Sequence, residues 1–407
     1  MVPRFSRRAG ELRASEVREL LKMAARRNVI SFGAGRPPDE CLPIAELSVA
    51  VTRVFAEHGV EAMQYSTTEG CETLRTAIAA RMRDRLGINV PASSLLVTTG
   101  SQQGLDLTGH VFVDEGDAVF CESPTYLAAL NALRRSQPRF IEVPSDEDGM
   151  IVSELETRLA AAERPKLIYV IPDFQNPSGR TWSLARRLEL LDVASRWSIP
   201  IVEDSPYAEL RFEGESVPPI KALDRSDLVI FMSTFSKILC PGLRVGWLTA
   251  EESILRKYIL AKQGCDLHTS TLDQLLVATY LSLFDIQRHI EEVRHECRRR
   301  RDAMVGALRR ELGDAVACRP PHGGLFLWVE LPAGMSAREL LRAALRRDVA
   351  FPPGDAFFAN GGHANTLRLA FSDSPPDRIE EGVRRLAEAF REVRDAAGPE
   401  AQLAATA

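Results

Sequence analysis

A lysine stands in an unusual place in the segment STFSKILCPGLRVGW, residues 233–247. Lys237 follows the apolar run DLVIFM, so an apparent core strand leads almost directly to an ammonium group. Lysines are rarely buried without a partner, and burial lowers the pKa of the amine. A neutral amine can attack a carbonyl carbon and form a Schiff base. On spacing alone, this interpretation and that of a lysine reaching water at a strand end are equally supported.

Polar residues follow other short apolar runs as well. Asn176 lies in QNPSG, and Asp204 and Tyr207 lie in EDSPYAEL. An aspartate there could cap a helix, or it could hold a proton on a heterocyclic nitrogen, because a carboxylate favours the charged form of its partner. Tyr126 in SPTYLAAL suits the core or the face of a planar ring. The Gly-Ser step of TTGSQQG (98–104) is a turn and helix cap, or a helix start that binds phosphate.

Taken together, these residues match the needs of one ligand. Lys237 supplies an amine, and Arg244 joins hydroxyl and N–H groups around a phosphate. Asp204 suits a ring nitrogen, and Tyr126 suits a ring face. Pyridoxal 5′-phosphate (PLP) requires that set of partners. We therefore expect a PLP site.

The elements that position these residues alternate between helical patterns and short apolar runs from about residue 70 onwards. Short strands buried on both faces and separated by helices are typical of a mostly parallel α/β sheet, whose active sites lie at the carboxyl ends of the strands. After a helix predicted over about 281–312, the strands GGLFLWVEL and TLRLAFS flank the helix SARELLRAALRRDV. This change of pattern predicts a separate α+β domain.

Composition narrows the class of protein. The chain has 407 residues, 45% of them hydrophobic and 26% charged, and a net charge of −5, which gives no bulk electrostatic case for nucleic acid or anionic membrane. No apolar stretch approaches the ~20 residues of a membrane span. The seven cysteines are scattered without a CxxC pair, which argues against a disulfide framework and a zinc site. We expect a cytoplasmic protein with no metal, nucleic-acid or membrane partner.

The segment 233–247 resembles the S-x-S-K-x-x-x-P-G-x-R-x-G-[WY] signature of class I/II aminotransferases of PLP fold type I. The order of the other motifs is also similar: G-S-Q, P-x-Y, N-P-x-G, D-x-x-Y, S-K and a C-terminal LRLAF, over roughly residues 30–372. The opening RASEVRELLKMAARRNVISFGAGRPPDECLP, with MQYSTTEGCETLRTAI, resembles the 2-aminoadipate/kynurenine aminotransferase-like subgroup. Two positions depart from the pattern: Thr234, where serine is commoner, and Arg36, where the subgroup usually has an apolar residue.

The resemblance implies an enzyme that exchanges the amino group of an L-α-amino acid with a 2-oxo acid, with 2-oxoglutarate as the expected acceptor, by a ping-pong mechanism. Lys237 would hold PLP as a Schiff base and act as general acid and base. Asp204 would keep the ring nitrogen protonated, and Tyr207 would hydrogen-bond the ring oxygen. The cofactor contacts implied in this way are Ser101, Gln102, Tyr126, Asn176, Asp204, Tyr207, Thr234, Ser236, Lys237 and Arg244. A homodimer with shared sites is expected, in which Tyr65 reaches the neighbouring subunit's cofactor.

The same resemblance assigns substrate contacts. Arg368 in TLRLAF would clamp the α-carboxylate through a bidentate pair, beside Asn176 and Gly35. Residues 15–40 would form a lid that turns on a Gly-rich hinge, and Arg18 or Arg36 in it would pair with a distal carboxylate.

Alternatives remain open at this stage. Both lid arginines could be solvated, or Asp39 and Glu40 could select a cationic side chain. Another PLP reaction on the same fold (a β-lyase, decarboxylase or oxidase) also stays open, because a fold does not fix chemistry. Transcription regulators with an aminotransferase-like domain carry a winged-helix domain of ~60–80 residues first, and the roughly 28 residues before VISFGAG are too few for one. A cofactor-less scaffold would be expected to lose Lys237 or Asp204.

We therefore expect an α/β protein of PLP fold type I, with a mostly parallel sheet flanked by helices and a smaller α+β domain. The expected divisions are an N-terminal lid segment that joins the small domain (1–45), a large PLP-binding domain (46–285), a small C-terminal domain (286–395) and a disordered tail (396–407).

Overall fold

The computed structural model describes residues 5–6, 9 and 29–396. The predicted helix over 15–27 and Arg18 lie outside the described residues, as does nearly all of the predicted tail. The strands are β1 (Ile30–Ser31), β2 (Leu95–Thr98), β3 (Ala118–Ser123), β4 (Arg139–Asp146), β5 (Gly149–Met150), β6 (Pro165–Val170), β7 (Ile201–Asp204), β8 (Val229–Thr234), β9 (Gly246–Thr249), β10 (Ala317–Cys318), β11 (Phe326–Glu330), β12 (Val349–Ala350) and β13 (Thr366–Ala370).

The helices are α1 (Ile44–Ala62), α2 (Glu72–Arg81), α3 (Ser101–Phe112), α4 (Leu127–Leu133), α5 (Val152–Ala161), α6 (Leu184–Trp197), α7 (Ile220–Leu223), α8 (Glu252–Cys265), α9 (Thr271–Leu283), α10 (Ile286–Leu312), α11 (Ala337–Leu345) and α12 (Pro376–Ala396). The single helix expected over about 281–312 is wrong at its start. Asp285 interrupts it, and its carboxylate accepts a hydrogen bond from the Gln287 amide at 2.9 Å, so that a new helix begins there.

The large sheet has eight strands in the order β2-β9-β8-β7-β6-β3-β4-β5. The pairs from β4 through β3, β6 and β7 to β8 are parallel, whereas β9 runs antiparallel to both of its neighbours. Side chains of β3 alternate between two apolar clusters: Val119 and Cys121 pack into one, and Ala118 and Phe120 into the other. Both faces of the sheet are therefore covered, as continuous apolar runs predict.

The second sheet contains β10, β11 and β13 in antiparallel order, and Trp328 of β11 pairs with Arg368 of β13. The helix α12 packs against both α10 and α11 in the same part of the chain. Near the N-terminus, β1 pairs in parallel with β12 through Ile30 and Val349. The segment after β1 is thereby held against this C-terminal part of the chain.

Within the described part of the chain, no helix is both long and apolar enough to cross a membrane.

Candidate active site

Lys237 follows the end of β8, and its amine lies among other charged groups. The Nζ atom donates a hydrogen bond to the Gly35 carbonyl oxygen at 2.9 Å. Burial lowers the pKa of Lys237 to about 8, and the positive charges of Arg368 and Arg244 add to this effect, while Asp373 and Asp204 oppose it. A substantial fraction of the amine is therefore neutral near physiological pH and can act as a nucleophile.

Asp204 is the last residue of β7, and its buried carboxyl group is close enough to Lys237 to affect its pKa. The Tyr169 hydroxyl donates a hydrogen bond to its Oδ2 atom at 2.9 Å. Its Oδ1 atom is buried and has no hydrogen-bond partner among the described residues. Burial raises the pKa of Asp204 to about 7, while Tyr169 and Lys237 lower it. One oxygen is thus fixed, and the other remains able to accept a proton-bearing group.

Asn176, Tyr207 and Arg368 form a hydrogen-bonded chain between the two sheets. Arg368 Nη1 donates to Asn176 Oδ1 at 2.8 Å, and Asn176 Nδ2 lies 3.5 Å from the Tyr207 hydroxyl. Burial raises the pKa of Tyr207, and the nearby Tyr126 and Asp204 raise it further. The large sheet and β13 therefore contribute to one polar cluster.

Arg368 is buried between apolar and backbone groups. Its guanidinium lies 4.3 Å from the ring centre of Phe326 and 4.9 Å from that of Phe357. Nη2 donates to the Gly33 carbonyl oxygen, and Nε has no partner among the described residues. Burial lowers the pKa of Arg368 to about 10, which still leaves the group charged at neutral pH. Arg368 is therefore a desolvated cation for which the described residues provide no carboxylate at ion-pair distance.

Hydroxyl groups and an arginine gather beyond the end of β8. The Thr234 hydroxyl donates to Ser236 Oγ at 2.9 Å, and Arg244 Nη1 donates to the same Ser236 Oγ at 3.3 Å. Arg244 has a positive φ of 53° and also donates to the Thr99 carbonyl oxygen at 3.4 Å. These contacts bring Thr234, Ser236 and Arg244 together at the start of α3.

The start of α3 packs against β9 with almost no space between the two backbones. A Cβ atom on Gly246 would lie 2.8 Å from the Ser101 nitrogen, and one on Gly100 would lie 2.4 Å from Arg244 Nη2. Only glycine permits this approach. The backbone at Gly100 and Ser101, which begins α3, therefore lies beside the Arg244 guanidinium, and a helix start next to an arginine suits a phosphate. Gln102, one residue further on, donates instead to the Ala128 carbonyl oxygen in α4 at 3.2 Å.

Two buried residues of the cluster were not identified from the sequence. Tyr169, which holds Asp204, lies inside the apolar run KLIYVIPDF and looks like any core tyrosine. Asp373 accepts hydrogen bonds from the Ala34 amide at 2.7 Å and the Arg36 amide at 3.4 Å, and so ties the 33–36 loop to the end of β13. Asp373 follows β13 in the chain just as other polar site residues follow their strands, and this pattern could have revealed it.

Other predicted residues lie at the margin. Tyr65 is 81% exposed and contacts His268 edge-to-face at 5.9 Å, so it does not belong to the buried cluster of its own chain. Arg36 is half-exposed and pairs with Asp39 at 3.1 Å. Glu40 pairs with Arg300. Both acidic residues that could have selected a cationic substrate thus already have arginine partners.

Comparison with known proteins agrees with this geometry. The sequence model of the family described as Aminotransferase class I and II matches residues 27–386. An aromatic-amino-acid aminotransferase of Thermococcus litoralis is 43% identical over 95% of this chain and 94% of its own length. A 2-aminoadipate transaminase of Thermus thermophilus is 44% identical over 95% of this chain and 96% of its own.

A solved structure points the same way. The kynurenine aminotransferase of Pyrococcus horikoshii, crystallised with PMP, superposes with a TM-score of 0.91 at 41% identity, covering 95% of this chain and 97% of that one. The chain belongs to the class I and II aminotransferase family and is a PLP-dependent transaminase of fold type I.

The residues present fit PLP on structural grounds as well. The open Oδ1 of Asp204 suits a protonated ring nitrogen, and the Lys237 amine has the lowered pKa that reaction with an aldehyde requires. The glycine-lined cradle at Ser101 and Arg244 suits the phosphate.

Proposed function

We propose that this transaminase uses Lys237 as its catalytic amine, takes aromatic and long acidic L-amino acids as donors, and uses 2-oxoglutarate as acceptor. The observation that carries the proposal is the convergence of Lys237, Asp204 and Arg368 in one buried cluster. When bound, PLP supplies an aldehyde that links reversibly to amines and a ring that accepts electrons from Cα.

Each side chain then has a distinct task. Lys237 carries PLP and moves the Cα proton of the amino acid, for which a pKa of about 8 is well matched to neutral pH. Asp204 holds a proton on the ring nitrogen. Asn176 and Tyr207 hydrogen-bond the ring oxygen, and Tyr126 stacks on the ring. The phosphate contacts are Ser101, Gln102, Thr234, Ser236 and Arg244; of these, Gln102 would first have to release the Ala128 carbonyl oxygen if its side chain takes part.

Arg368 binds the α-carboxylate of the substrate. In the described structure its two amino groups donate to Asn176 Oδ1 and the Gly33 carbonyl oxygen. A carboxylate offers two charged acceptors in the geometry that the guanidinium fork prefers, and it therefore displaces the Gly33 carbonyl. Gly35, with φ of 64°, turns the same loop so that its own carbonyl faces Lys237. A Cβ there would lie 2.2 Å from the Phe326 ring, so the turn requires glycine.

The side-chain preference follows from the neighbours of Arg368. Phe326 and Phe357 provide apolar surface for an aromatic or aliphatic side chain. Arg36 is 51% exposed, so its pair with Asp39 is solvated and weak, and in turning toward a distal carboxylate it would also give up the 3.8 Å contact of its Nε with the buried Asp373. The names of the relatives, aromatic and 2-aminoadipate, cover these same two classes of donor. Arg18 would supply a second cation from the N-terminal segment.

Further proposals concern assembly and organisation. The exposure of Tyr65 supports a homodimer in which this ring reaches the neighbouring site. The helix break at Asp285 and the pairing of β1 with β12 support a large domain over 46–285 and a small domain over 286–395 that 1–45 joins. The cysteines of the described chain are all unpaired, which supports a reducing, cytoplasmic location.

Half-reactions test the donor assignment. PLP-loaded enzyme is mixed with single amino acids from an aromatic, acidic, basic and aliphatic panel, and the loss of PLP absorbance is followed without acceptor. Aromatic amino acids and 2-aminoadipate should react fastest, and 2-oxoglutarate should restore the spectrum. Arg36→Gln should slow the acidic donors only. Release of pyruvate and ammonia without an acceptor would contradict the proposal, as would a ranking that Arg36→Gln and Arg18→Gln leave unchanged.

A further inference from the structure

A second pocket, with a volume of about 460 Å³, shares two loops with the active site. Its lining includes Asp173, three residues before Asn176, and Ala208, which directly follows Tyr207. Three arginines from distant parts of the chain also line it: Arg85, Arg211 and Arg294. Nothing in the chemistry described above uses these arginines.

Arg211 is the most deeply placed of the three. Its side chain is only 9% exposed, and its guanidinium lies 4.7 Å from the ring centre of Phe174. Nη1 donates to the Glu213 carbonyl oxygen at 3.2 Å, but Nη2 is buried and has no hydrogen-bond partner among the described residues. The nearest carboxylate oxygen, Asp173 Oδ1, is 3.9 Å from Nη2. Arg211 thus lines the pocket with one buried amino group that has a distant carboxylate, Asp173, but no hydrogen-bond partner among the described residues.

The carboxylates of this region are already engaged by other arginines. Arg187 donates to both oxygens of Asp173, at 2.9 and 3.2 Å. Glu209 pairs with Arg81. Among the residues that the structure describes, no carboxylate lies within ion-pair distance of Arg294 or Arg85. Arg294 Nε donates to the backbone oxygen of Glu209 at 2.7 Å. Three arginines of the described chain therefore line the pocket with two carboxylates, Asp173 and Glu209, and each of these carboxylates is already paired with another arginine.

The pKa values of two of these arginines are consistent with their lack of close carboxylate partners. Burial lowers the pKa of Arg211; Asp173 opposes the shift and Arg187 adds to it. Burial also lowers the pKa of Arg294, where Arg85 and Arg81 add to the effect and Glu209 and Glu291 oppose it. Burying a cation without a counter-ion costs desolvation free energy, and a bound anion offsets that cost.

We propose that this pocket binds a small oxyanion, the phosphate or carboxylate group of a metabolite, between Arg211 and Arg294. The guanidinium fork pairs with either group through two parallel hydrogen bonds. The pocket is separate from the cradle at Ser101 and Arg244, so its occupant is not the cofactor phosphate.

The test uses PLP-loaded enzyme, so that the cofactor's own phosphate site is filled. Inorganic phosphate and acetate are titrated separately by calorimetry at constant ionic strength, with chloride as the compensating anion. Saturable binding of one or both probes is expected, and the probe whose Kd rises in the Arg211→Gln and Arg294→Gln variants identifies the oxyanion, because acetate can also bind at Arg368. Arg211→Gln should raise Kd at least about tenfold, as the loss of a charge-assisted pair predicts. Arg294→Gln should act in the same direction.

A matched control lies on the same helix as Arg294. Arg288 in α10 is 81% exposed, and Arg288→Gln should leave the Kd unchanged. Absence of saturable binding in the parent enzyme overturns the proposal. So does an equal Kd in the parent and in the Arg294→Gln variant, which decides the question even if Arg211→Gln fails to fold.

Discussion

Burial lowers the pKa of both Lys237 and Lys262, but the two ammonium groups have different hydrogen-bond partners. Lys262 is fully buried, and its Nζ donates to both oxygens of Asp266, at 2.7 and 2.9 Å, and to Gln103 at 2.8 Å. Burial lowers its pKa, and Asp266 opposes the shift. Lys237 donates only to a backbone carbonyl, and within the described chain no carboxylate lies at ion-pair distance from it. We therefore expect Lys237, which has no paired carboxylate among the described residues, and not Lys262 to be the reactive amine.

The largest loss of activity is expected for Lys237→Ala. Turnover should fall by more than about 10³-fold, because in the proposed function the amine both carries PLP and moves the Cα proton. In the parent enzyme, borohydride reduction should attach PLP to the peptide that contains Lys237, as mass spectrometry would show. Covalent attachment at Lys262 in the variant would refute the distinction drawn here.

Arg368→Gln tests the proposed substrate contact and, with it, the environment of Lys237. Loss of the carboxylate clamp should lower kcat/KM for amino acids by about 100-fold, the equivalent of about 3 kcal/mol. Because the charge of Arg368 also lowers the pKa of Lys237, that pKa should rise in the variant. Steady-state kinetics and the pH dependence of PLP attachment measure the two effects. An unchanged kcat/KM would remove Arg368 from the site.

Lys262→Met tests the structural member of the pair. The change leaves Asp266 without its cation, and the free energy of unfolding should fall by about 2 kcal/mol. Urea denaturation of the apoenzyme measures this loss. PLP should still attach to Lys237 in the folded variant. If stability is unchanged while attachment is lost, the roles of the two lysines have been reversed.

The pH dependence of PLP capture distinguishes the two amines directly. Only neutral amine reacts, so the rate of attachment to the apoenzyme should rise about tenfold per pH unit below the pKa. It should level off above about pH 8 instead of continuing toward the ordinary lysine value of 10.5. Stopped-flow absorbance follows the reaction, with a free lysine derivative as reference. A rate that still rises tenfold between pH 9 and 10 would contradict the lowered pKa.

The smallest effect is expected for Tyr169→Phe. Removal of the hydroxyl that holds Asp204 should raise the pKa of that carboxyl and weaken PLP binding by about 3- to 10-fold, the size of one net hydrogen bond. Tyr258→Phe is a matched control, because Tyr258 is equally buried and its hydroxyl lies 2.8 Å from that of Thr108. Both variants should lose similar stability, but only Tyr169→Phe should change the Kd for PLP. Equal Kd values would make Tyr169 merely structural.

The sequence was enough to predict which polar residues share a site, because one geometric rule of parallel sheets applies. Parallel strands end at the same edge of a sheet, so the polar residues at and just after the ends of β6, β7 and β8 must converge. The fold class, the family and the PLP dependence are confirmed. The roles of individual side chains remain predictions that rest on this convergence and on the variants above.

Only the tertiary structure decided which charged groups have partners. The sequence presents Arg187 and Arg211 alike, yet Arg187 donates to both oxygens of Asp173, whereas Arg211 Nη2 has no hydrogen-bond partner among the described residues. It likewise does not say that Lys262 meets Asp266 while Lys237 meets a glycine carbonyl from 202 residues away. Local pattern fixes which face of an element is apolar, whereas the pairing of buried charges depends on contacts between distant segments, and those pairings decide which groups are free to react or bind.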